Sequence, residues 1–121
     1  MNAASLIAIV DDDPGVRGSL DSLMRSAGLV PQSFASGAAL LDCGFEGRIA
    51  CIVTDLHMPG MTGLELQAEI VRRGWQNPVI VMTAYPTDAA RDQALRAGAA
   101  AFLSKPIDPD ALLDAIEHAA A

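Results

Sequence analysis

The chain has 121 residues, 51% of them hydrophobic, and a formal net charge of -7. That is enough apolar material for one domain with one core, while the acidic balance excludes a surface that wraps nucleic acid, which needs a basic face. No apolar run approaches the roughly 20 residues of a membrane span, and Met1 is followed by neither a basic n-region nor a cleavage pattern, so the expectation is a cytoplasmic protein.

Leu6 to Val10 reads as a buried strand that stops at Asp11-Asp12-Asp13-Pro14. Asp13 before Pro14 is a helix N-cap with proline at the first helical position. Val16, Leu20, Leu23, Met24 and Ala27 then recur on one helical face, and Gly28 closes the helix. Leu29 to Phe34 is a weaker strand, and Pro31 within it assigns it to a sheet edge. Ser36 caps a second helix carrying Ala39, Leu40 and Leu41, which ends near Gly44. Ile49 to Thr54 is a β-branched, uncharged run, the pattern of a strand buried on both faces. It ends in Asp55, and the chain then breaks at Pro59-Gly60. Thr62 caps a helix with Leu64, Leu66, Ile70 and Val71 that runs to Arg72-Arg73-Gly74. Pro78 to Thr83 is the fourth strand, and Thr87 or Asp88 opens a helix ending at Ala97-Gly98. Ala100 to Ser104 is a short fifth strand, and Asp108-Pro109 opens a last helix through Leu112, Leu113 and Ile116. Cys43 and Cys51 have no metal-like spacing and read as small buried thiols.

Strands alternating with helices across short connections imply right-handed crossovers, hence an α/β, doubly wound, five-stranded parallel sheet covered on both faces. No linker, repeat or low-complexity segment intervenes, so residues 1–121 are expected to form a single domain, with any further domain lying after Ala121.

In such a sheet the carboxyl ends of the strands share one edge, where ligands bind. The ends bring Asp11 and Asp12, Asp55, Thr83 and Lys105 to it. Three close carboxylates repel one another. A hard divalent cation relieves that, and an all-oxygen set suits Mg²⁺, with Mn²⁺ as a substitute. A carboxylate nucleophile, a metal, a hydroxyl and an ammonium together describe acceptance of a phosphoryl group. Each residue has an ordinary alternative: Asp12 or Asp13 as a cap, Asp55 as a cap of the following loop, Thr83 as a plain strand residue, Lys105 as a solvated lysine. Four strand ends would have to be ordinary at once. Lys105 is also the one lysine among eight basic residues.

These residues resemble the receiver domains of two-component response regulators, and the resemblance covers essentially the whole chain. Val10-Asp11-Asp12-Asp13 is similar to the family's acid pair, and Thr54 to Gly63 to its phosphoacceptor segment. Met82-Thr83-Ala84 is similar to its switch-hydroxyl motif, and Ser104-Lys105-Pro106 to its lysine and following proline. Ala97-Gly98-Ala99 and Phe102 match the segment before that lysine. The Asp55 to Gly63 stretch looks most like FixJ-type regulators, whose receivers usually precede a helix-turn-helix output domain that controls transcription. The resemblance implies strand order 2-1-3-4-5, the flavodoxin-like receiver arrangement. It implies Asp55 as the phosphorylation site, with Mg²⁺ held by Asp12, Asp55 and the His57 backbone carbonyl and by Asp11 through water. It implies Thr83 and Lys105 as catalytic groups, Thr83 and Phe102 as the switch, and a cis Lys105-Pro106 bond. The partners it implies are a sensor histidine kinase or phosphotransfer protein, and a phosphorylation-dependent homodimer through the fourth helix, fifth strand and fifth helix.

Two features depart from the commonest family pattern. A third acid, Asp13, follows the pair, and Phe102 lacks the tyrosine hydroxyl of some members. Many receivers also carry an aromatic residue near the acids. None is expected here, and Trp75 falls at the opposite edge. An aspartyl phosphohydrolase would typically carry a second acid two residues after the nucleophile, where this chain has His57, and would need a cap domain. A flavodoxin-like FMN protein would need a glycine- or hydroxyl-rich first loop, where this chain has Asp11-Asp12-Asp13-Pro14. A receiver that no longer takes phosphate would not need the intact acid, threonine and lysine set. The chain is therefore expected to be a switch that catalyses only its own phosphorylation and dephosphorylation, without nucleic-acid or membrane binding.

Overall fold

The computed structural model describes residues 6–120. Its elements are β1 (Leu6–Val10), α1 (Pro14–Ser26), β2 (Pro31–Phe34), α2 (Gly37–Leu41), a 3₁₀ turn (Glu46–Arg48), β3 (Ile49–Asp55), α3 (Gly63–Arg72), β4 (Val79–Thr83), α4 (Asp88–Arg96), β5 (Ala101–Ser104) and α5 (Pro109–Ala120). The strands are parallel in the order β2-β1-β3-β4-β5. Among the described residues no helix is long and apolar enough to cross a membrane.

Alternate side chains of the central strands point to opposite faces, and each face has its own core. Ala8, Val10, Ile52 and Val81 pack with Leu40 of α2, Leu66 and Ile70 of α3 and Ala94 of α4. Ile7, Ile9, Val53, Ile80 and Met82 pack with Leu20 and Met24 of α1 and Leu112 and Ile116 of α5. Most of these side chains exclude solvent completely, and full burial of each valine, leucine, isoleucine or methionine among them contributes about 1.5–3 kcal/mol. Both cores end at the carboxyl edge of the sheet, so residues there stand on rigid backbone.

The helix starts follow the side-chain chemistry. Asp13 Oδ1 accepts from the Gly15 and Val16 amides, and Ser36, Thr62 and Thr87 cap α2, α3 and α4. Thr62 and Glu65 complete a reciprocal capping box.

Several boundaries and faces differ from the sequence reading. β2 starts at Pro31, not Leu29, because proline lacks the amide that a ladder interior needs and is tolerated as a strand's first residue. β4 starts at Val79 and β5 at Ala101, each one residue later than expected, while β3 includes Asp55 itself. The register of β1 on β3 slips between Leu6 and Ile7, so Ala50 is an extra residue in β3. Ala27 and Ala39 are exposed. Val71 is 66% exposed rather than part of the α3 stripe. That stripe is Gly63, Leu66, Gln67 and Ile70, and Val71 is turned about 90° from its centre at 100° per residue. A polar residue, Gln67, holds the place expected to be apolar.

Candidate functional site

Asp11, Asp12 and Asp55 come together at the carboxyl edge, with one carboxylate oxygen of each within 4.8 Å of the others. Backbone bonds hold the strand ends in register. The Asp11 amide donates to the Phe34 carbonyl, the Leu56 amide to Met82, and the Lys105 amide to Thr83. Asp11 is buried and Asp12 exposed. Asp13 turns away to cap α1, while its own amide donates to Asp11 Oδ1 at 2.9 Å. The Lys105 ammonium bridges two acids, 2.9 Å from Asp55 Oδ1 and 3.0 Å from Asp11 Oδ2. The Lys105-Pro106 bond is cis, as the resemblance implies.

One ammonium faces three carboxylates. Burial pushes the Asp55 pKa up. The hydrogen bond and charge of Lys105 oppose this, while the charges of Asp11 and Asp12 add to it. Burial acts to lower the Lys105 pKa, but its bonds and attraction to Asp55 and Asp11 outweigh burial and raise it. The acids thus hold their cation firmly, yet Asp55 keeps an unrelieved penalty for ionising. The donors fit a hard divalent cation in their chemistry: all are oxygens, they converge, and their charge exceeds what Lys105 neutralises.

Thr83 is fully buried at the end of β4. Its Oγ1 accepts from the Tyr85 amide at 3.0 Å, which leaves its O–H free to donate. Phe102 is half-buried. It packs on the α3/α4 face of the sheet, and its register partner is Val81. Thr83 lies two residues beyond Val81 and so shares that face.

Four residues that bear on this site or its surroundings escaped the sequence reading. Gly63 is one. A Cβ there would sit 2.5 Å from the Asp55 carbonyl oxygen and 2.9 Å from Leu56 Cα. Only glycine lets α3 start against the backbone of Asp55, and its amide donates to the Leu56 carbonyl at 2.9 Å. Arg17 Nη1 donates to the Asp11 carbonyl at 2.6 Å from α1. Tyr85, 73% exposed, meets the His57 ring edge to face at 5.8 Å between centroids. An aromatic residue does therefore stand beside the site, supplied by the loop after β4. Gln67 is the fourth. Trp75 lies at the opposite edge, beside Ile49, Asn77 and Pro78, as expected.

A family model described as the response regulator receiver domain matches residues 7–117. The chain is 44% identical over 110 residues to the transcriptional regulatory protein FixJ of Azorhizobium caulinodans, covering 91% of this chain and 52% of that protein. It is 37% identical over 118 residues to the transcriptional regulatory protein TdiR of Thauera aromatica, covering 98% of this chain and 52% of that one. The chain thus spans about half the length of these curated relatives. Among solved structures, the response regulator StyR superposes with a TM-score of 0.88 at 37% identity, covering 96% of this chain and 59% of that one. FixJ-N superposes with a TM-score of 0.86 at 32% identity, covering 96% and 93%. The match runs from the first strand into the last helix and takes in every strand end that contributes an acid, the hydroxyl or the lysine. The chain belongs to the response regulator receiver domain family.

Proposed function

We propose that Asp55 accepts a phosphoryl group from a histidine kinase or phosphotransfer protein and that the chain passes this signal on as a change of surface. The observation that carries the reading is the convergence of Asp11, Asp12 and Lys105 on the Asp55 carboxylate at the end of the central strand. An Asp55 carboxylate oxygen forms the new bond to phosphorus as the bond from phosphorus to the donor's imidazole nitrogen breaks, the imidazole leaving with the electron pair. Lys105 neutralises charge on one phosphoryl oxygen, and the Thr83 hydroxyl donates to another. Asp11, Asp12, Asp55 and the His57 backbone carbonyl would hold Mg²⁺ or Mn²⁺, which supplies charge neutralisation and orientation of the phosphoryl oxygens. Beside Lys105 lies an open groove lined by Val16, Leu20 and Leu23 of α1 and by Ile107.

Movement of Thr83 toward the phosphoryl group vacates space on the α4 face, into which Phe102 rotates. Two packings separated by a few kcal/mol suffice, because modest differential contacts then shift the populations. The altered α4, β5 and α5 surface, with Asp88, Arg91, Arg96 and Asp108 exposed around it, forms a homodimer and controls an output that regulates transcription. The chain turns over no substrate other than its own phosphoryl group, and it works in the cytoplasm.

The test is incubation of the purified chain with a small phosphodonor and Mg²⁺, read by intact-mass spectrometry. One phosphoryl group is expected on the parent and none on Asp55→Asn. Thr83→Ala should take up the group yet not self-associate. A full equivalent on Asp55→Asn would overturn the assignment, and dimerisation of phosphorylated Thr83→Ala equal to the parent's would overturn the coupling.

A further inference from the structure

Gln67 lies in the middle of the buried stripe of α3 and is 2% exposed. Its Nε2 donates to the Ala94 carbonyl of α4 at 3.2 Å. That carbonyl can only accept, so the amide's orientation is set, and Oε1 points the other way. Among the described residues Gln67 Oε1 is the one buried side-chain nitrogen or oxygen without a partner. A pure packing role would suit leucine better, since an unpaired buried oxygen costs about 1–3 kcal/mol. The Ala94 carbonyl also accepts from the Ala99 amide at 3.0 Å, which closes the end of α4. It does not need Gln67 for its own satisfaction.

The position of this contact gives it a use. Gln67 follows Gly63 by four residues, one helical turn on the same face. Gly63 is the residue pressed against the Asp55 backbone. Ala94 belongs to the same core as Leu66, Ile70 and Val81, with Phe102 packed against it. A continuous line runs from the Asp55 backbone through Gly63 and the first turns of α3 to the C-terminal turn of α4, without passing through Thr83.

The geometry points to Gln67 as a latch that fastens α4 to α3 while Asp55 is unphosphorylated and lets go when α4 moves. It is a positioning residue for the switch, and its role in signalling rests on the phosphoacceptor reading above. The unpaired Oε1 keeps the latched state from being too favourable to leave.

Gln67→Met keeps the length of the side chain and removes both polar ends, and Gln67→Leu is a second variant for the case that methionine packs badly. Amide hydrogen exchange and thermal unfolding are measured on the 121-residue chain with and without phosphodonor and Mg²⁺. In the unphosphorylated variant, exchange of the amides closing α4, from Ala97 to Ala99, should rise about two- to tenfold, as expected for one lost hydrogen bond. Exchange elsewhere should stay at the parent's rate, and the midpoint temperature should stay at or above the parent's. Phosphorylation should then raise α4 exchange in the parent and change it less in the variant. Unchanged α4 exchange in the unphosphorylated variant would overturn the latch, as would a rise spread over the whole chain with a lower midpoint, which marks a packing role alone. Phosphoryl uptake is read on the same samples by mass. If the parent takes up none, the phosphoacceptor reading fails, and the unphosphorylated comparison still decides the latch.

Discussion

Replacing Asp55 with asparagine should make the metal-free protein more stable at neutral pH. At an effective dielectric near 20, the attraction of Lys105 for Asp55 at 2.9 Å is about 6 kcal/mol. Repulsion from each of Asp11 and Asp12, within 4.8 Å, is at least about 3.5 kcal/mol on the same scale. At full strength the two repulsions match the attraction; exposure of Asp12 weakens its share, and burial of Asp55, the largest cause of its raised pKa, tips the balance against the charged form. The isosteric amide keeps an acceptor for Lys105 and removes the charge, so a gain of about 1–2 kcal/mol, or about 4–8 °C in midpoint, is expected. The sign of the pH dependence follows from the raised pKa. In the parent, the stability associated with a protonated Asp55 is fully present below the ordinary carboxylate pKa and is lost as pH rises through the raised folded value. Variant and parent should therefore unfold alike at about pH 3.5 and separate as the pH rises to about 7. Saturating Mg²⁺ should stabilise the parent more than the variant and narrow the gap at neutral pH. Thermal unfolding by circular dichroism across this range, with chelator or with Mg²⁺, measures all three. An Asp55→Asn protein no more stable than the parent at neutral pH without metal would refute the reasoning, as would a gain independent of pH.

Lys105→Arg should lower phosphoryl uptake at least tenfold despite keeping the charge, because a compact ammonium sits about equidistant from Asp11 and Asp55 and a planar fork cannot occupy that point; initial rates with a small phosphodonor test it. Gly63→Ala should destabilise the chain by about 1–3 kcal/mol, since the new methyl meets immovable backbone at Asp55 and Leu56; urea unfolding gives the value. Trp75 fluorescence should change little on adding Mg²⁺, whereas Tyr85 in a Trp75→Phe background should respond, because Tyr85 touches His57 beside the acids; equal responses would place the metal elsewhere. Cys51, with its pKa pushed up to about 12 by burial, should resist thiol reagents in the folded chain, while half-buried Cys43 reacts first; mass mapping after brief labelling distinguishes them.

Much of this molecule is local in origin. Alternating apolar runs and capped amphipathic helices dictate five strands and five helices, because period and cap chemistry act over a few residues. Asp11, Asp12, Asp55, Thr83 and Lys105 are legible for the same reason: each ends a strand, and parallel strands present their ends on one side. The limits of that reading are equally physical. The apolar pattern of α3 puts Val71 on its stripe, and the structure gives the inner position to Gln67, because a hydrophobicity pattern passes over a polar side chain that finds its partner 27 residues away on α4. The glycine at residue 63 looks like any loop glycine until the backbone of Asp55 is seen 2.5 Å from where its Cβ would be. Tyr85 gave no sign of meeting His57, since that contact joins two loops that only the sheet order brings together. Which acid takes the ammonium, which caps a helix and which stays in solvent is likewise decided by tertiary contact. Three consecutive aspartates have the same chemistry, and only their surroundings separate Asp11, bound to Lys105, from exposed Asp12 and from Asp13, the cap of α1.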